Sequence, residues 1–93
     1  MSGSPQTRLA LFERLLSNMI DYINLNTGTD GKQREKVSVP DTATAIFFIQ
    51  QTKGTSIDEL KRTFARYLGA LQSLNTEQQS KVERYLQALR DLV

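Results

Sequence analysis

The sequence predicts an all-α fold, a compact four-helix bundle in a single domain over residues 1–93. Three observations predict it. Apolar residues recur at three- and four-residue spacing along most of the chain. Helix-start and helix-stop residues stand where that periodicity begins and ends. The one strand-like run, Ala45-Ile46-Phe47-Phe48-Ile49, has no partner strand elsewhere. The expected helices cover about residues 5–25, 41–53, 56–73 and 76–92, with one long basic loop over 26–39. A chain of 93 residues suits one domain, and such a chain buries only about 60–65% of its unfolded surface, so its core is modest.

The first helix opens at Ser4-Pro5, a capping hydroxyl followed by a proline whose missing N–H costs nothing at the first helical position. Leu9, Phe12, Leu16, Met19, Ile20 and Ile23 make its buried stripe, and Leu11, Leu15 and Tyr22 widen it toward a second neighbour. Asn26-Thr27-Gly28-Thr29-Asp30-Gly31 ends it with turn chemistry. The connection that follows carries the charge run Lys32-Gln33-Arg34-Glu35-Lys36 and a short alternation, Val37-Ser38-Val39, that suits extended chain. Pro40-Asp41-Thr42 starts the second helix, Ala43 to Lys53 is its body and Gly54 its stop. Apolar on several sides, it is expected to be the most buried element. Ser56 and Glu59 have capping-box spacing at the start of the third helix, whose buried stripe is Ile57, Leu60, Phe64, Tyr67, Leu68 and Leu71. Leu74-Asn75 breaks the pattern. Thr76 and Gln79 form a second box, opening a last helix with Val82, Tyr85, Leu86, Leu89 and Val93 inward.

Composition removes whole classes of chemistry. The chain has no Cys, so disulfides, thiol nucleophiles and Cys-rich zinc sites are excluded. It has no His, the commonest general base and metal ligand. The adjacent acids Asp58 and Glu59 stand in the first turn of a helix and serve its dipole. No glycine-rich phosphate loop and no Ser-x-x-Lys motif occurs. The expectation is a protein that is not an enzyme, takes no cofactor, metal or small-molecule substrate, and acts as a binding module. The N-terminal residues lack a basic-then-apolar signal pattern and the longest apolar run is five residues, so no membrane contact and a cytoplasmic location are expected.

Net charge is +2, but its distribution is uneven. Residues 1–31 balance at −1, residues 32–67 at +3 and residues 68–93 at zero. The surplus sits in the loop triad Lys32, Arg34 and Lys36 and in the helix set Lys53, Lys61, Arg62 and Arg66, of which all but Lys53 are taken as candidate contacts. Arg62 and Arg66 are four apart and face away from Leu60, Phe64 and Leu68. These six residues are the candidate phosphate contacts of a DNA or RNA backbone, a contact without sequence readout. The plain alternative is a solvated face on which Glu59 pairs with Arg62. The segment Ile49 to Leu60 has the outline of a helix-turn-helix, but Asp58 and Glu59 occupy the base-reading positions and would repel phosphate. Leu11, Leu15, Tyr22, Leu74, Leu92 and Val93 offer a second mode, packing against neighbouring protein subunits or further copies of the chain.

A short, Cys-free, His-free helical chain with a central basic surplus resembles the small subunits of type I CRISPR effector (Cascade) complexes. The resemblance rests on the overall helical pattern. It implies a non-enzymatic bundle, present in more than one copy, that contacts neighbouring subunits and the backbone of guide-paired or displaced DNA. Small subunits of that kind are sometimes translated from an internal start within the large-subunit gene. The other function compatible with the residues is a purely protein-binding adaptor or regulator.

Overall fold

A computed structural model describes residues 5–27 and 36–93. It is an all-α four-helix bundle: α1 spans Pro5–Asn26, α2 Thr42–Thr52, α3 Ile57–Leu68 and α4 Thr76–Asp91, with a single 3-10 turn at Leu71–Ser73. Among the described residues there is no strand. The expected N-cap Ser4, the glycines Gly28 and Gly31, and Lys32 and Arg34 lie outside the described residues.

The long helix α1 is the organising element. Phe12, Leu16, Met19, Ile20 and Ile23 are fully buried at the three- and four-residue spacing of one face. That face packs against both α2 and α4, and α3 in turn packs on α4. The core is completed by Phe48 of α2, Leu60, Phe64 and Leu68 of α3, Leu74, and Val82, Leu86 and Leu89 of α4. Phe48 stacks on Phe64 with ring centroids 4.5 Å apart, and the edge of Tyr67 closes on Phe48 at 5.1 Å. Thr52, the one buried polar side chain among the described residues, donates its hydroxyl to the Phe48 carbonyl at 2.6 Å, so its polar atom is satisfied.

Several boundaries differ from the sequence expectation, each for a local reason. Periodicity carries the third helix to residue 73, but α3 stops at Leu68 because Gly69 takes the left-handed conformation, φ +56°, and its N–H returns to Ala65. The capping box of α4 is one residue earlier than the Thr76–Gln79 spacing suggests. Asn75 accepts from the Gln78 N–H at 2.8 Å, and Gln78 Oε1 accepts from the Asn75 N–H at 2.9 Å. Asn is the stronger N-cap, and it leaves Thr76 as the first helical residue. The displaced Gln79 instead donates to the Leu74 carbonyl at 2.9 Å. Lys53 caps α2 in extended conformation rather than belonging to its body, and Gly54 makes the turn with φ +73°. Nor is α2 the most buried element. Ala45, Phe48 and Thr52 are buried, whereas Ile46 is 42% and Phe47 51% exposed.

Two sets of side-chain amides hold the connections. Asn24 of α1 donates to the Val37 carbonyl at 2.8 Å and accepts from the Val37 N–H at 2.9 Å, pairing with that backbone as a neighbouring strand would. Gln78, besides completing its own box, donates to Asn26 Oδ1 at 2.9 Å, and Asn26 Nδ2 donates to the Tyr22 carbonyl at 2.7 Å. The C-terminal end of α1 and the N-terminal end of α4 thus satisfy one another's polar groups.

Candidate functional site

The six basic candidates do not behave as one set. Lys32 and Arg34 lie outside the described residues. Lys36 is exposed, at the start of the extended segment that Asn24 holds through Val37. It lines one groove with Tyr67, Leu68 and Ala70 at the end of α3, and another with Asp21, Asn24 and Leu25 of α1. Lys61 is engaged: its Nζ lies 2.8 Å from Glu83 Oε2 on α4. Both side chains are nearly half-exposed, so this bridge contributes at most about 1 kcal/mol, but it neutralises the lysine locally. Arg62 and Arg66 are exposed one turn apart on the side of α3 opposite Leu60, Phe64 and Leu68, with no ion-pair partner among the described residues. The Glu59–Arg62 pair of an ordinary solvated face is not formed. Arg66 lies in the last turn of α3 and Asp58 and Glu59 in the first, each suiting the helix dipole.

Between α3 and α4, Lys61, Arg62, Ala65, Val82 and Glu83 line a shallow groove of about 330 Å³. A smaller groove between α1 and α4 is floored by Leu15, Tyr85 and Ala88 and edged by Lys81 and Arg84. There the Lys81 ammonium sits 5.2 Å from the centre of the Tyr22 ring, which meets Tyr85 edge-on at 6.2 Å. The apolar residues expected to form a docking patch divide: Leu74 is buried, Leu15, Tyr22 and Leu92 are half-buried, and Leu11 and Val93 are exposed. Most of that set completes the bundle. Among the described residues, no group of three or more acids gathers as a metal site, and no helix is long and apolar enough to cross a membrane.

The surface that sequence reasoning missed is the outside of α2. From Thr42 to Thr52 this helix has no charged residue. Ala45, Phe48 and Thr52 turn inward, which leaves Ala43, Ile46, Phe47 and Gln50 outward. Val39, 51% exposed, and Tyr67, 37% exposed, add to the exposed apolar surface. The Tyr67 hydroxyl donates to the Ser38 carbonyl at 3.1 Å, tying the extended segment to α3 beside Phe48. Partial burial, and secondarily the charge of Asp41, raise the Tyr67 phenol above its ordinary value. The signal was in the sequence: eleven residues without a charge, whose inward positions are already filled by Ala45, Phe48 and Thr52. Comparison with family models, with curated proteins and with solved structures finds no match for this chain.

Proposed function

We propose that the chain is a non-enzymatic assembly subunit that works by placing surfaces rather than by chemistry. The observation that carries this reading is the uncharged α2 face with Ile46 and Phe47 exposed. Single exposed apolar residues are ordinary on soluble proteins, but several together on an element without charge fit a protein-docking surface. The absence of His and Cys from the sequence supports the same reading. Co-purification of the full chain from its source cells, wild type beside Phe47→Lys, tests it. Protein partners retained by the wild type are lost by the variant. If Phe47→Lys retains every partner, α2 is not the docking surface.

A second reading, favoured by Arg62 and Arg66, which are exposed and have no ion-pair partner among the described residues, adds a nucleic-acid backbone as partner. Lys36 would join them, Lys61 would contribute less because Glu83 already holds it, and contact would be to phosphate without base readout. A chain with both surfaces would suit the inner face of a ribonucleoprotein such as the type I CRISPR effector complex whose small subunit the sequence resembles. Salt separates the two readings. Phosphate contacts weaken steeply as salt rises, whereas an apolar contact persists.

A further inference from the structure

The groove between α1 and α4 has one sign of charge at its edge and nothing to balance it. Leu15 of α1 and Tyr85 and Ala88 of α4 make its floor, Lys81 and Arg84 stand at its edge, and its volume is about 240 Å³. None of the acids on the two helices lines it, and Glu83 is held by Lys61 on the side of α4 that faces α3. Neither Lys81 nor Arg84 has an ion-pair partner among the described residues; the Lys81 ammonium rests instead over the Tyr22 ring. The end of α1 meets the start of α4 through Asn26 and Gln78, so the two helices run antiparallel. The apolar row of α1 continues from Tyr22 through Leu15 to Leu11, which is 46% exposed. Tyr22 and Leu11 are eleven residues apart, about 16 Å along the axis or three helical turns. Arg8, one turn beyond Leu11 on the same row, is a third exposed cation.

Three features of this groove select its occupant. It is open and, at about 240 Å³, smaller than the roughly 300–1,000 Å³ of pockets that enclose small molecules, so a ligand has to run along it. Both walls are helices whose backbone groups are bonded within each helix. An extended peptide finds no edge to pair with there, and the occupant has to satisfy its own backbone, as a helix does. The floor is aliphatic at Leu15 and Ala88 and the Tyr22 ring is already covered by Lys81, so the groove suits apolar side chains better than stacked bases. We propose that the α1–α4 groove receives an acidic amphipathic helix of a partner protein, its apolar row on Leu15 and Ala88 and its carboxylates against Lys81 and Arg84. The small Ala88 side chain lets the partner's axis come close. This surface is separate from the exposed side of α2 and does not depend on it.

Fluorescence anisotropy of labelled peptides titrated with the full chain, up to about 1 mM where weak binding is read, tests this. The probe is a peptide of about 18 residues with Leu at three- and four-residue spacing flanked by Glu. A second peptide has the same composition in an order without that spacing, and a third has Lys for every Glu. Only the first is expected to bind the wild type. Ala88→Arg, which fills the groove while adding positive charge, abolishes that binding. Lys81→Glu with Arg84→Glu weakens it by about tenfold or more and lets the Lys peptide bind instead. Circular dichroism checks that the variants keep the wild-type helical content. Should Ala88→Arg unfold the chain, the charge exchange, made at two exposed positions, decides alone. If the reordered or the Lys peptide binds the wild type as tightly as the first, the acidic-helix assignment is wrong. An affinity unchanged by the charge exchange moves the site off this groove. No binding of the acidic peptide overturns the proposal outright, and a single-stranded oligonucleotide whose binding Ala88→Arg tightens would then assign these cations to phosphate.

Discussion

The helices α2 and α3 are near-equals in length, eleven and twelve residues, and both are N-capped by a side-chain oxygen, from Asp41 and Ser56. They share the Phe48–Phe64 stack at the core. Their outer sides have nothing in common. Beyond its buried stripe α3 carries Asp58, Glu59, Lys61, Arg62 and Arg66, while α2 carries no charge at all. A helix whose outward side has charge is soluble whatever it does, so the arginines of α3 alone say little. A helix that could carry charge there and instead exposes Ile46 and Phe47 is the feature behind the proposed docking role.

The widest test of this contrast is a pair of aromatic truncations. Phe64→Ala removes a fully buried ring and is expected to cost about 3–5 kcal/mol in urea unfolding, whereas Phe47→Ala, half-exposed, should stay within about 1 kcal/mol of wild type. Equal losses would mean that Phe47 is a core residue and that α2 has no spare face. On the nucleic-acid reading, Arg62→Ala with Arg66→Ala lowers the slope of log affinity against log salt by about 2, while Lys61→Ala changes it less. A double variant with an unchanged slope removes α3 as a phosphate surface. Gly69→Ala probes how α3 ends. A methyl group there meets no neighbour, so the expected loss of about 1–2 kcal/mol comes only from the left-handed backbone and should appear without any repacking.

The smallest effect concerns how α2 begins. The hydrogen bond from the Thr44 N–H holds the Asp41 carboxyl below its ordinary value. A depressed folded-state value stabilises the fold above the usual aspartate range, and that contribution fades as pH falls through the depressed value. Thermal unfolding followed between neutral and strongly acid pH should therefore lose a small increment that Asp41→Asn, still a cap but without a titrating group, does not lose. An identical acid profile in the variant would show that Asp41 carries no pH dependence.

Periodicity made the bundle legible, because each core position recurs at helical spacing: Phe12, Leu16, Met19, Ile20 and Ile23 all fall where the pattern places them. Boundaries depended on finer competition. Thr76 and Asn75 both offer an N-cap oxygen, and spacing alone does not rank them; the stronger cap won and moved the box by one residue. Gly69 stands inside an otherwise continuous stripe, so nothing before it announces the left-handed turn. At the candidate site, Arg62 and Arg66 were readable because exposure follows from their place opposite Leu60 and Phe64. The Lys61–Glu83 bridge and the Asn24–Val37 pairing were not, since each joins residues far apart in the chain and exists only once the elements have packed. The exposed side of α2 escaped sequence reasoning because hydrophobicity is a poor measure of burial here. Three inward residues suffice for a helix that touches the core on one side.

The amide chain from Tyr22 through Asn26 and Gln78 to Asn75 has a dynamic consequence. Gln78 belongs at once to a local cap and to a contact 52 residues distant, so the first turn of α4 cannot fray without also releasing the end of α1. Helix ends commonly open at little cost and exchange their amide hydrogens ahead of the interior. Here the Gln78 and Gln79 amides, bonded to the Asn75 side chain and carbonyl, are coupled to the docking of two helices. Hydrogen–deuterium exchange should show them opening with the bundle as a whole, which makes the junction a reporter of global cooperativity rather than of local helix propensity.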